Sequence, residues 1–253
     1  MADLKTGLEC GSVTLKIASS KTEIESAQRL RYKIFNEELG EGIPENASTG
    51  LDKDEFDEFC DHLLVLNTEG QTIGTYRLLP GVRRPPQGFY TETEFDLSAM
   101  TIDRKLISEL GRACIHPDFR KQSTLMGLFY GLREYARMTG SKYMLGCGSL
   151  PKMSPDDAEA SFQSLIERGY VNFQAGAKPL DSHSFQGDSS LGKVQIPQLV
   201  NFYLSFGARV LGRPAYDPVF ACFDLLMFFD MENLSPWGVE LLERYEKRYG
   251  NGA

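Results

Sequence analysis

Two arginines constrain this chain more than any other feature: Arg77 in Gly-Thr-Tyr-Arg-Leu-Leu-Pro and Arg112 in Glu-Leu-Gly-Arg-Ala-Cys-Ile. Both segments are otherwise apolar and strand-forming, and a guanidinium inside an apolar strand is costly unless an anion pairs with it. The fold must therefore bring acids to them. A supply stands upstream, where Asp52, Asp54, Glu55, Asp57, Glu58 and Asp61 crowd before an apolar strand at 62–66. A charge run is ordinarily a solvated loop, but Phe56 and Phe59 interleave with these acids, so part of the segment has to pack. Acids and arginines paired in a sheet form either a plain structural network or the lining of a cleft, and the pattern alone leaves both open.

Periodicity supplies the surrounding elements. Residues 12–18 alternate polar and apolar, as a half-buried strand does. Thr22 and Glu25 form a predicted capping box, after which Ile24, Ala27, Leu30 and Ile34 recur at helical spacing up to about Gly40. A polar loop at 41–52 leads to strands at 62–66 and 72–79, joined through Glu69-Gly70. Arg83, Arg84, Pro85 and Pro86 make 80–87 an irregular exposed connection. A strand at 106–115, a helix at 123–139 and a strand at 143–148 follow. Ser154-Pro155 with Asp157 marks another helix start, whose apolar face is Ala158, Phe162, Leu165 and Ile166. Residues 175–193 are rich in Gly, Ser and Asp and lack a period, which predicts a flexible insertion, either disordered or a cover over a site. A helix at 197–206, closing strands at 208–211 and 219–229, and a C-terminal helix at 235–250 complete the pattern. This mixed order implies one α/β (α+β) domain over 1–253, with its core at 12–230.

Composition narrows the function. The chain has 253 residues, 42% hydrophobic and 25% charged, the balance of an ordinary globular protein. A chain this long buries roughly three quarters of its unfolded surface and needs no crosslinks. Its five cysteines are scattered without CxxC spacing, which suits buried thiols in a reducing compartment. No basic n-region precedes an apolar stretch near the N-terminus, and no apolar run approaches ~20 residues. A cytoplasmic location is expected, with peripheral contact at the inner membrane left open. The net charge of −8 argues against nonspecific nucleic-acid binding. Three histidines without paired spacing predict no metal site. There is no GxxxxGK[ST], no GxGxxG after a strand and no GxSxG, so phosphate-loop and nucleophile-elbow chemistries are not indicated.

Several motifs in order carry a resemblance. Leu30-Arg31-Tyr32-Lys33-Ile34-Phe35, Asp54-Glu55-Phe56-Asp57, Asp61-His62-Leu63 and Gly74-Thr75-Tyr76-Arg77 open the series. Phe89 to Asp96, Glu109-Leu110-Gly111-Arg112, Gly146-Cys147-Gly148-Ser149 and Pro214-Ala215-Tyr216-Asp217 continue it. Together they resemble the ornithine-acyl-ACP N-acyltransferase family, itself similar to acyl-homoserine lactone synthases and, more distantly, to GNAT acetyltransferases. The resemblance implies a GNAT-like domain with a mixed, centrally split sheet flanked by helices. It implies transfer of a long-chain, simple or 3-hydroxy, fatty acyl group from acyl carrier protein to an amino acid α-amine, such as that of ornithine or glycine, giving a lyso-aminolipid. Arg31, Phe35, Asp52, Asp54, Asp57, Arg77, Glu109 and Arg112 occupy the places of the lactone synthase pattern, with Asp52 and Leu39 departing from it. Glu109, Asp57 and Arg77 are then expected to be catalytic, and Arg31, Phe35, Asp52, Asp54, His62 and Arg112 to bind the acceptor.

Amide formation needs a base for the ammonium proton and donors for the developing oxyanion. Glu109, beside Leu106, Ile107 and Leu110, is a candidate base, Asp54 and Asp57 can hold an ammonium, and either arginine can take a carboxylate. CoA-dependent GNAT enzymes resemble one another in a small-residue turn around the pyrophosphate; here the segment from Arg120 places Ser123 and Leu125 at its small positions. That favours a carrier protein's phosphopantetheine thioester over acyl-CoA as co-substrate, with no bound cofactor. Docking of an acidic carrier then calls for a basic patch, for which Arg120, Lys121, Arg83, Arg84 and the pair Arg133 and Arg137 are candidates. Two other outcomes fit the same residues: a signal synthase close to the homoserine lactone enzymes, and an acyl-binding module without catalysis.

Overall fold

The computed structural model describes residues 4–250. β1 (Leu8–Cys10) and β2 (Val13–Ile17) form a hairpin, and β2 pairs antiparallel with β3 (Asp61–Asn67). Between them lies α1 (Lys21–Tyr32), which starts earlier than the expected Thr22/Glu25 box. Ser20 is the N-cap and accepts the Glu23 N–H, while Glu23 reaches back to the Ser19 N–H at 2.7 Å. Both candidate boxes satisfy the same rule, and Lys16, paired to Glu23, favours the earlier one. α1 runs on as a π-helical turn, Lys33–Leu39, which Gly40 ends at φ 69°.

β4 (Thr72–Pro80) joins β3 antiparallel, and β6 (Ile107–Ile115) joins β4. Between those two strands in sequence, the short β5 (Phe95–Asp96) pairs with β8 (Lys178–Pro179) in a small separate sheet. α2 (Gln122–Thr139) carries the chain over to β7 (Tyr143–Pro151), which lies parallel to β6. α3 (Pro155–Glu167), α4 (Gln198–Ser205) and β9 (Arg209–Val210) follow. β10 (Ala215–Asp217) and β11 (Cys222–Asp230) form a hairpin, and β11 pairs with β7 along nine residues. α5 (Pro236–Tyr245) closes the fold and continues as a π turn to Gly250. Among the described residues the main sheet has nine strands in the order β1-β2-β3-β4-β6-β7-β11-β10, with β9 also on β11. β1, β5, β8 and β10 are too short to show a period, and the sequence does not reveal them.

The sheet splits at its centre. β6 and β7 pair at Ile107↔Tyr143, Ser108↔Met144 and Glu109↔Leu145, and there the ladder ends although both strands continue. Gly146 permits this approach: a Cβ there would stand 2.4 Å from the Leu110 carbonyl oxygen. Beyond it the two strands part and leave backbone edges facing a gap. α2 to α5 pack one sheet face through Leu63, Tyr76, Leu78, Phe129, Phe162 and Phe229. The other face carries Phe56, Leu79, Phe89, Ile107 and Leu145, with α1 seated alongside through Leu30, Ile34 and Cys114.

Residues 175–193 are laid down by specific contacts. The Asp188 N–H donates to Asp156 at 2.8 Å, the Lys193 N–H to Asp157 at 2.7 Å, and the Phe185 ring meets Phe223 at 4.5 Å. The acids at the start of α3 thus hold the segment that the sequence, lacking any period there, marks as loose. None of its residues lines the main cavity, so it is not a cover over it.

Candidate active site

The arginines find their acids. Arg31, on α1 and fully buried, donates from Nε to Asp52 Oδ1 at 2.7 Å and from Nη1 and Nη2 to Asp57 at 2.8 and 3.2 Å. Arg77 donates to Asp54 at 2.5 Å and to Asp57 at 3.0 Å. Arg112 grips both oxygens of Asp52, its Nε at 3.0 Å. Gln28 and the Asp54 N–H also donate to Asp57. Burial works to raise the Asp57 carboxyl, but Arg31 and Arg77 outweigh it and hold it well below the usual carboxylate range. Saturated in this way, Asp57 organises the network and is no base.

Arg112 reaches Asp52 because β6 bulges. Thr75 pairs with Cys114 and Arg77 with Gly111, so Arg112 and Ala113 together stand opposite Tyr76. Arg112 takes φ 50°, a conformation that costs a branched or long side chain about 1–2 kcal/mol. The bulge turns its guanidinium out of the strand into a slot between the rings of Phe35, at 4.4 Å, and Phe220, at 5.1 Å. Phe35 comes from the π turn, a kind of irregularity that recurs at functional sites.

A cavity of about 360 Å³ opens in the gap between β6 and β7, within the size range of small-molecule sites. It reaches Phe35, Asp54, Arg77, Glu109 and Arg112 of the expected site residues. It does not reach Arg31, Asp52, Asp57 or His62, which lie behind the lining and hold it in place. His62 is buried with neither ring nitrogen hydrogen-bonded, so its expected contact with the acceptor is corrected to a packed, neutral ring. Glu109 sits where the strands part. Its Oε1 accepts the Thr91 N–H at 2.7 Å and its Oε2 the Tyr90 N–H at 2.8 Å. Burial raises its proton affinity above the usual value, against those two amides. Leu110, Val200, Tyr203, Met227 and Phe229 form an apolar wall.

The expected basic patch divides. Gly74 pairs with Ile115 and Pro80 with Ser108, so Arg83 and Arg84, after Pro80, lie at the opposite end of the sheet from Arg120 and Lys121, after Ile115. Six strand residues separate the ends, about 20 Å. Arg83 pairs with Asp61 and Arg84 with Glu92 at 2.8 Å, which assigns both to structure. Arg133 is likewise taken by Glu246 at 2.8 Å. Arg120, paired to Glu38 at 2.6 Å, and Lys121, the N-cap of α2, stand at the end where the split opens.

A second group of acids was missed. Glu94, Asp217 and Asp224 are buried together beside Cys147 and Cys222, and Asp217 and Asp224 line the cavity. Ser149 donates to Asp224 at 2.7 Å and the Tyr90 hydroxyl to Asp217 at 3.4 Å. Burial, then the neighbouring carboxylates, push Glu94 up to about 9; burial, then Asp217 acting with it against Ser149, pushes Asp224 up to about 6. Burial also raises both thiols, leaving them protonated and poor metal ligands. The signal was the one applied to Arg77: Asp224 stands inside the apolar run 222–229.

Known proteins agree with this geometry. Residues 30–130 match the acetyltransferase (GNAT) domain family. Over 258 residues the chain is 31% identical to the L-ornithine N(alpha)-acyltransferase of Rhizobium meliloti (strain 1021), covering 94% of this chain and 84% of that protein. The chain belongs to this acyltransferase family. The L-ornithine N(alpha)-acyltransferase of Brucella abortus (strain 2308) is also 31% identical, over 95% of this chain and 89% of its own. Among solved structures, the CoA-dependent acyl-homoserine lactone synthase BjaI superposes with a TM-score of 0.52 at 18% identity, over 92% of this chain and 84% of its own. FeeM, an N-acyl amino acid synthase from uncultured soil microbes, gives 0.52 at 13% identity, over 87% and 93%. At these identities the likeness establishes the fold: a GNAT-like mixed sheet flanked by helices. No helix among the described residues is long and apolar enough to cross a membrane.

Proposed function

We propose that this acyltransferase moves a long-chain fatty acyl group, simple or 3-hydroxylated, from the phosphopantetheine thioester of an acyl carrier protein to the α-amine of an amino acid. The observation that carries this reading is the split between β6 and β7, whose cavity has charged groups on one side and an apolar wall on another. The free backbone edges past Glu109 and Leu145 offer N–H donors to a thioester oxygen as it gains charge. The acceptor nitrogen attacks the thioester carbon, the C–N bond forms, and the C–S bond breaks as a second nitrogen proton passes, directly or through water, to the departing sulfur, releasing the carrier thiol. Glu109 is the lining carboxylate at the parting point with a raised proton affinity, and it takes the ammonium proton directly or through water. Ornithine is the acceptor named for the relatives in Rhizobium meliloti and Brucella abortus, and we extend it to this chain.

The donor's phosphate fits the first turn of α2. That turn carries no acid and no side-chain cap, and Arg120 and Lys121 stand beside it. One phosphate suits a turn that carries Ser123 and Leu125. The test is incubation with a palmitoyl or 3-hydroxypalmitoyl carrier protein and ornithine, glycine or S-adenosylmethionine, read by thiol release and mass spectrometry. N-acylornithine is the expected product, and Glu109→Gln is expected to lower kcat about 10²–10⁴-fold. Full activity of that variant sinks the assignment of the base. Product with S-adenosylmethionine alone marks a signal synthase, and no product with any amine marks a binding module.

A further inference from the structure

The group formed by Glu94, Asp217 and Asp224 has no cation. No lysine or arginine donates to any of the three among the hydrogen bonds and ion pairs of the described residues. Their partners are instead weak or neutral. Asp217 accepts the Val219 N–H at 2.7 Å and the Tyr90 hydroxyl, and Asp224 accepts Ser149 and the Cys222 thiol. Glu94 is 1% exposed, and its Oε1 has no hydrogen-bond partner, while Oε2 meets only the Cys147 thiol at 3.8 Å. Arg112 is the basic group within Coulombic reach of Asp217, and its fork is already filled by Asp52. Three carboxylates buried this closely without a counter-charge are costly, and the cost is relieved when a cation enters.

Two of these acids, Asp217 and Asp224, stand across the split from the arginines. Asp217 and Asp224 come from β10 and β11, on the β7 side, and Ser149 from β7 itself, whereas Asp54, Arg77 and Arg112 belong to the β4 and β6 side. An acceptor reacting at its α-amine beside Glu109 would extend its side chain toward this opposite wall. We propose that Glu94, Asp217 and Asp224 form a subsite for a second ammonium group, at the far end of the acceptor, and so select a basic amino acid over a neutral one. This rests on the amino acid acceptor proposed above and adds the residues that choose it. A divalent ion is the competing occupant. Protonated Cys147 and Cys222 suit it poorly, while an ammonium with three donors suits Asp217 and Asp224 on the cavity wall, with Glu94 buried directly behind them.

In the free protein Asp224 and Glu94 give up their protons only as the pH rises through about 6 and about 9. The other groups facing them are Tyr90, Cys147, Cys222, Ser149 and Glu109, none of them a cation. An arriving ammonium displaces those protons, so its binding should tighten between pH 6 and 9.

The decisive measurement pairs binding with turnover. Calorimetry on the protein alone, with ornithine, 1,4-diaminobutane and norvaline as probes, reads the subsite without any acyl transfer. Ornithine and the diamine are expected to bind at least tenfold more tightly than norvaline, with protons released. Glu94→Gln and Asp224→Asn are expected to erase that difference, and to collapse the ornithine-to-norvaline ratio of kcat/KM toward one. Circular dichroism and Tm confirm that each variant folds, and removing a buried like charge should not lower Tm. Equal binding of norvaline overturns the proposal, as does ornithine binding that both variants keep. Ornithine binding abolished by a chelator and restored by a divalent metal overturns it too, in favour of an ion. Should no amine be acylated, the transfer reaction proposed above fails, while the calorimetry still decides the subsite.

Discussion

His62 lies against Asp57 at 3.6 Å, yet it stays neutral. Burial works against its proton first and the Arg31 guanidinium adds to it, so its pKa falls to about 4. Unfolding restores an ordinary value near 6.5, so the unfolded chain binds the extra proton in that window. The resulting stability is present above pH 6.5 and lost as pH falls toward 4, by up to about 3 kcal/mol. Urea unfolding at pH 7 and pH 4.5 reads this directly, and His62→Gln should remove most of the difference. An unchanged difference in that variant would assign the acid limb to the carboxylates. The motif around His62 marked it for the acceptor. Whether a ring faces a cavity or lies behind one depends on strand packing, which no motif encodes.

At the scale of elements, one backbone contact sets the width of the split. Gly146 leaves room for the Leu110 carbonyl oxygen, from which a Cβ would stand 2.4 Å away, and the β6–β7 ladder ends one pair earlier. Gly146→Ala should force the strands apart and cost about 1–3 kcal/mol, a fall in Tm of roughly 3–10 °C for a chain of this size. A Tm within a degree of the parent would show that the sheet yields freely there. Most long elements were legible: β4, β6, β7, α2 and β11 fall within a few residues of their expected places. Their periods run for nine residues or more, and caps or glycines punctuate them. The bulge at Arg112 was not legible. It arises from the register of β6 on β4, and Glu-Leu-Gly-Arg-Ala-Cys-Ile reads as an unbroken strand.

For the whole molecule, the sheet decides which charges can act together. Arg83 and Arg84 lie at one end of β4, and Arg120 and Lys121 at the end where the split opens. If a carrier protein docks at the open end, reversing Arg120 and Lys121 to Glu should raise its KM about tenfold. The KM for the acceptor should stay level, and added salt should shrink the effect. Reversing Arg83 should leave the carrier's KM alone. Steady-state kinetics with the two substrates varied in turn would check this, and an equal response to Arg83 would move the dock to the other end. The chain's excess of acid is compatible with such a dock because only the local field meets the partner.

By itself, the sequence determined that Arg77 and Arg112 needed acids, that Asp52, Asp54 and Asp57 were there to meet them, and that the family was one of acyltransferases. Composition, alternation and ordered motifs are local properties, and a single chain displays them. Only the tertiary structure decided which of these charges face the cavity. It put Asp57 at the centre of the network and out of reach, and left Glu109 at the point where two strands part. It also gathered Glu94 and the hairpin residues Asp217 and Asp224, from two distant segments, into one buried group. Burial and neighbourhood set the charge of such groups, and both come into being only when strands far apart in sequence lie side by side.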